Sequence, residues 1–158
     1  MITEQQKKWM REAIKLSSCN IDNGGGPFGA VIVKNGEIIA TGANRVTADN
    51  DPTAHAEVNA IRAAAKYLGT FDLSGCEIYT SCEPCPMCLS AIYWARIDCI
   101  YYANTQYDAR AINFDDSFIY TQLSLSPEQR SIPARRILGE EAIVAFDKWR
   151  DKEDKIEY

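Results

Sequence analysis

Residues 76–104, CEIYTSCEPCPMCLSAIYWARIDCIYYAN, decide the fold. Two short runs rich in aromatic and β-branched residues, CEIYTSC and CIYYAN, read as strands. Between them PMCLSAIYWARI reads as a core helix opened by Pro86, where a helix tolerates a missing N–H. Strands alternating with helices in this way are the pattern of a layered α/β domain.

Working outward, PFGAVIV (27–33) and EIIATGAN (37–44) are further strands. Asn35-Gly36 between them is a strong short hairpin signal, because both residues tolerate the positive φ that a tight turn requires. Residues 3–20 carry Trp9, Ala13, Ile14 and Leu16 at helical spacing, and NGGG (23–26) ends that helix. A helix is expected over 52–69, with Asp51 as its cap and Pro52 in its first position. Downstream, ARAINFDDSFIYTQL is read as irregular and SIPARRIL (131–138) is a candidate short strand. EEAIVAFDKWRDKEDK is a final amphipathic helix, and IEY trails as a tail. No repeat, low-complexity stretch or linker divides the chain, so residues 1–158 are expected to form one domain. An opening hairpin followed by alternating elements predicts a three-layer α/β/α arrangement with a mixed sheet. The motif-bearing turns before 52–69 and 86–96 would then lie at strand ends, where open α/β sheets place ligands.

Composition narrows the function. The chain has 158 residues, 46% hydrophobic and 25% charged, enough to bury a core without disulfides. No apolar run approaches the roughly 20 residues of a membrane span. MITEQQKKWMREAIKL lacks the apolar stretch of a secretion signal, so a cytoplasmic protein is expected. Acids outnumber bases by 22 to 17, for a net charge of -5, which argues against a broad nucleic-acid surface. Of the six cysteines, three crowd into CEPCPMC.

The lone histidine, His55, stands in TAHAEV with Glu57 two positions on. About 30 residues later Pro84-Cys85-x-x-Cys88 opens another helix. Cysteines three apart share one helical face, and a helix N-terminus favours the thiolates a metal needs. Three protein ligands leave zinc an open tetrahedral position, which marks a catalytic site, and water there ionises near neutral pH. Glu57 is placed to take that water's proton and pass it to a ring nitrogen and a leaving amine. Other readings of the cysteines stay open. Cys82, Cys85, Cys88 and His55 could form a closed structural zinc site, as in a binding module, but that leaves Glu57 without a task. An iron–sulfur cluster would want a fourth cysteine where Ile92 stands. A disulfide conflicts with a reducing compartment.

H-x-E followed by P-C-x-x-C is the signature of zinc deaminases acting on bases. With these residues the chain resembles the cytidine deaminase superfamily, and within it the small bacterial guanine deaminases. The resemblance rests on GGPFGAVIVKNGEIIATGAN, NDPTAHAEVNAIR, YTSCEPCPMCLSAIYWAR, FDDSFIY and the terminal Tyr158. It implies a five-stranded mixed sheet with helices on both faces, zinc on His55, Cys85 and Cys88, and hydrolysis of guanine to xanthine and ammonia. It further implies base contacts from Asn44, Asp116, Phe28 and Trp94. It also implies a homodimer in which the tail, residues 150–158, lets Tyr158 close the partner's site. Deamination of guanosine, cytosine, cytidine or a tRNA wobble adenosine are the competing activities. The tRNA enzymes are basic towards their C-terminus, whereas DKWRDKEDKIEY mixes both signs.

Overall fold

The computed structural model describes residues 1–158, which divide into two compact units, Met1–Asp116 and Ser117–Tyr158. In the first unit, Thr3 and Gln6 form a capping box that starts helix α1 (Glu4–Asp22). Strand β1 (Gly29–Lys34) turns through Asn35 and Gly36, at φ 52° and 82°, into β2 (Glu37–Ala43). After the short helix α2 (Val46–Asp49) come α3 (Ala56–Leu68), β3 (Cys76–Cys82), α4 (Pro86–Trp94), β4 (Cys99–Asn104) and α5 (Gln106–Ala111). The sheet order is β2-β1-β3-β4, with β3 antiparallel to β1 and parallel to β4. The sheet is therefore mixed, as expected.

Alternating side chains supply two cores. Ala30, Ile32 and Ile78 face Ala56, Ala60 and Ala64 of α3 and Ile92 of α4. Val31, Val33 and Tyr79 face Ala13 of α1, flanked by Trp9, Met10 and Leu16. Helices thus cover both faces. The α3 side is built from alanines because helix and sheet approach closely there. A Cβ on Gly42 would overlap the Ala56 carbonyl oxygen and the Ala60 nitrogen, both backbone atoms that cannot swing aside. Gly42→Ala is therefore expected to cost about 1–3 kcal/mol of overpacking and to lower Tm by roughly 3–10 °C. Thermal unfolding checks this, and an unchanged Tm would contradict the close approach.

Several expectations are corrected. The sheet has four strands, not five: residues 131–138 form no strand, and Pro133 has no N–H to give a ladder. The helix expected from 52 begins at Ala56. Asp51 accepts from the Thr53 amide (2.8 Å) and hydroxyl (2.7 Å), so its carboxylate caps a turn instead. Part of the stretch read as irregular is helical. Thr105 and Asp108 box the start of α5, whose six residues are too few to show a period.

The second unit contains α6 (Ser117–Leu123), a 3₁₀ turn (Pro127–Gln129) and α7 (Gly139–Arg150). The helix α7 stops before DKEDK, which offers no apolar residue to bury. No residue of this unit is buried, although Phe118, Ile132, Ile137, Phe146 and Ile156 are apolar. No helix in the protein is long and apolar enough to cross a membrane.

Candidate active site

Two helix starts meet at the end of the sheet. His55 is the N-cap of α3 and Cys85 the N-cap of α4; both have extended backbone, and neither side chain caps its helix. N-cap side chains ordinarily satisfy the first free amides. Here the imidazole and the thiol are left for another task. Pro86 in the first position and Cys88 in the third then bring the second sulfur back to the same point. Asn59 ties the start of α3 to the sheet, its Nδ2 donating to the Ala43 carbonyl at 2.9 Å.

His55 Nδ1 lies 3.6 Å from Cys85 Sγ and 3.5 Å from Cys88 Sγ. All three ligand atoms lie within 4.8 Å of one another. Nitrogen at about 2.0–2.1 Å and sulfur at about 2.3 Å from a tetrahedral zinc would lie roughly 3.6 Å apart. The donor set and its spacing therefore fit zinc. Cys82 is turned elsewhere: its sulfur contacts the Thr105 carbonyl oxygen at 3.6 Å, and burial pushes its thiol up to about 11. Cys85 goes the other way, to about 4, through a hydrogen bond from Cys88 that outweighs its own burial, with His55 adding to it. Cys88 is raised because it holds the proton the pair shares. The hydrogen bond to Cys85 raises the His55 imidazole.

Glu57, in the second position of α3, is buried at 6% exposure. Burial raises its carboxyl above the usual range, against hydrogen bonds from its own backbone amide, Cys88 and Thr80. A carboxyl held so, beside three atoms that could hold a metal ion, can exchange a proton with a water or a ligand there.

The expected base contacts separate by position. Asn44, 7% exposed, follows β2; its amide donates to the Phe28 carbonyl and its own carbonyl accepts from Asn20 Nδ2 at 2.7 Å. Phe28 meets Phe114 edge to face, with ring centroids 4.9 Å apart. Asp116 is half-buried, and burial raises its carboxyl, with Cys85 and Glu83 among the charges it feels. Trp94 is not at this point. It ends α4, about nine residues and roughly 13 Å along the helix from Cys85, and is 68% exposed. Tyr158 belongs to the second unit and is exposed. Sequence reasoning missed two supporting residues, Thr80 and Asn20. Thr80 sits at an inward-facing position of CEIYTSC, a signal that alternation alone carries.

The chain belongs to the cytidine and deoxycytidylate deaminase family: residues 3–104 match the model of that family's zinc-binding region. Within it, the chain is 52% identical to the guanine deaminase of Bacillus subtilis over 151 residues, 95% of this chain and 97% of that one. The X-ray structure of guanine deaminase from Bacillus subtilis superposes with a TM-score of 0.94 at 49% identity, covering 99% of each chain. A tRNA-specific adenosine deaminase of Aquifex aeolicus is 41% identical over 60% of this chain and 63% of its own length.

Proposed function

We propose that this protein is a guanine deaminase that hydrolyses guanine to xanthine and ammonia. The observation that carries this is the reach of the likeness. The family's zinc-binding region ends at residue 104, and the tRNA deaminase likeness covers 60% of the chain. The guanine deaminase likeness covers 95%, so it takes in most of the part that bears FDDSFIY and the tail.

In this reading His55, Cys85 and Cys88 hold zinc, which when bound supplies an activated water and an electrophilic anchor for it. Glu57 takes the proton from the attacking water as the carbon–oxygen bond forms. It delivers that proton to the ring nitrogen, then takes the remaining proton of the added hydroxyl and delivers it to the amine. The amine leaves as ammonia as the carbon–nitrogen bond breaks and the carbonyl forms. Asn44 pairs with the base through its donor and acceptor together, and Asp116 accepts from the ring N–H and amine of guanine, a pair of donors that adenine does not offer. Phe28 packs against the flat base.

The same reading includes a cytoplasmic homodimer acting on a free base, with no nucleic-acid partner. Residues 117–158 bury nothing of their own, and exposed apolar helices of this kind need a surface to cover. A second copy supplies that surface, with the tail at 150–158 and Tyr158 closing the partner's site. Trp94, exposed on its own chain, contacts the base only in that assembly. Removal of residues 156–158 is expected to lower kcat/KM about 10- to 100-fold, the scale of one lost buried aromatic contact, with zinc content unchanged. Steady-state kinetics beside metal analysis checks it; unaltered kinetics would remove the lid.

The function itself is tested by incubating the zinc-loaded protein with guanine, guanosine, adenine, cytosine, cytidine and a tRNA bearing adenosine at the wobble position, following ammonia. Release from guanine is expected. No release from guanine with release from another compound would replace the substrate. No release from any, with zinc retained, would make the site structural.

A further inference from the structure

We propose that Thr80 is a positioning residue that holds the Glu57 carboxyl in its working orientation. The inference rests on the reading of Glu57 as the proton carrier. Thr80 lies on β3, opposite Ala30 of β1 and Tyr102 of β4, and is 1% exposed. It shares a strand face with Ile78, whose cluster includes Ala56 and Ala60 of α3. A buried strand position against a helix is ordinarily apolar, and valine has nearly the same shape as threonine. A hydroxyl there is tolerated only when hydrogen-bonded, since an unpartnered one costs about 1–3 kcal/mol.

Its partners show what it is for. Thr80 Oγ1 lies 3.1 Å from Glu57 Oε1 and 3.0 Å from the Cys82 carbonyl oxygen. A hydroxyl has one hydrogen and two acceptor lone pairs, whereas the carbonyl can only accept. Thr80 can therefore donate to Glu57, or donate to Cys82 while accepting from Glu57, without moving a heavy atom. Either way the Thr80 oxygen stays within hydrogen-bond distance of Glu57 Oε1. Of the groups that hold the Glu57 carboxyl, its own amide and Cys88 belong to the start of α3 and to the metal cluster. Thr80 is the one that ties it to the sheet. The link joins β3 to the α3 N-terminus across 23 residues of sequence, so the rotation of Glu57 is set by the rigid centre of the sheet.

The test compares Thr80→Val and Thr80→Ser with the wild-type protein, using whichever base the wild-type chain deaminates. A failure of the guanine reading would thus show in the wild type and leave this test intact. Thr80→Val is expected to keep zinc, Tm within a few degrees and KM, while kcat falls about tenfold, a part of the 100- to 10,000-fold that positioned proton transfer provides. Thr80→Ser should return kcat to within about threefold of wild type. In a Glu57→Gln background, Thr80→Val should lower the residual rate no further, because the effect passes through Glu57. Wild-type kcat in Thr80→Val overturns the proposal. So does a joint loss of zinc, Tm and KM that serine fails to rescue, or an equal fall in the Glu57→Gln background.

Discussion

Glu57→Gln is expected to retain zinc and to lose about 100- to 10,000-fold in kcat, roughly 3–5 kcal/mol of barrier. Glutamine matches the volume of glutamate and can still hydrogen-bond Thr80 Oγ1, so the packing around α3 is preserved. What it lacks is a site that takes up and releases a proton. The position is suited to that task, because Glu57 is buried and burial raises its carboxyl above the usual carboxylate range. It also stands two residues from His55 on the same helix start, so the proton has a short path from the attacking water to the amine. The measurement is single-turnover ammonia release together with metal content. Activity within tenfold of wild type would remove Glu57 from the chemistry and return the cluster to a structural role.

The second large effect separates the three cysteines of CEPCPMC. Cys85→Ala and Cys88→Ala are each expected to lose stoichiometric zinc and bring activity to background. Losing a ligand should exceed the 10- to 100-fold cost in affinity typical of disturbing the groups that merely support ligands. Cys82→Ala should keep zinc and most activity, at a stability cost of about 1 kcal/mol. The reason is direction. Cys82 ends β3 with its sulfur on the Thr105 carbonyl, while Cys85 and Cys88 converge on His55 Nδ1. Their acidities diverge accordingly: the Cys82 thiol is pushed up to about 11 by burial, and Cys85 is drawn down to about 4 by Cys88, with His55 adding to it. Zinc loss in Cys82→Ala with unchanged turnover in Glu57→Gln would overturn the assignment.

Much of this was legible in the chain because local rules sufficed. Asn35-Gly36 turns β1 into β2 through two positive-φ residues, as its composition requires. Pro86 opens α4 because a helix loses nothing at that position when it lacks an amide hydrogen. The spacing of His55, Glu57, Cys85 and Cys88 at two helix starts is equally local, and it identifies the donor set before any packing is known. Local signals also misled. Asp51-Pro52 has the composition of a helix start, yet the Asp51 carboxylate is taken by Thr53 and the helix waits for His55. Residues 131–138 have the apolar content of a strand, but a strand exists only where a neighbouring ladder accepts it, and none does.

The sequence by itself determined the layered α/β class, the hairpin, and the CEPCPMC and TAHAEV donors, since each depends on a few adjacent residues. Tertiary structure alone decided which cysteine is turned away, how near α3 comes to the sheet at Gly42, and that Thr80 meets Glu57. Those facts depend on where β2 and β3 meet α3 and where β3 meets the start of α5, and no short window of sequence contains both partners of any of these contacts.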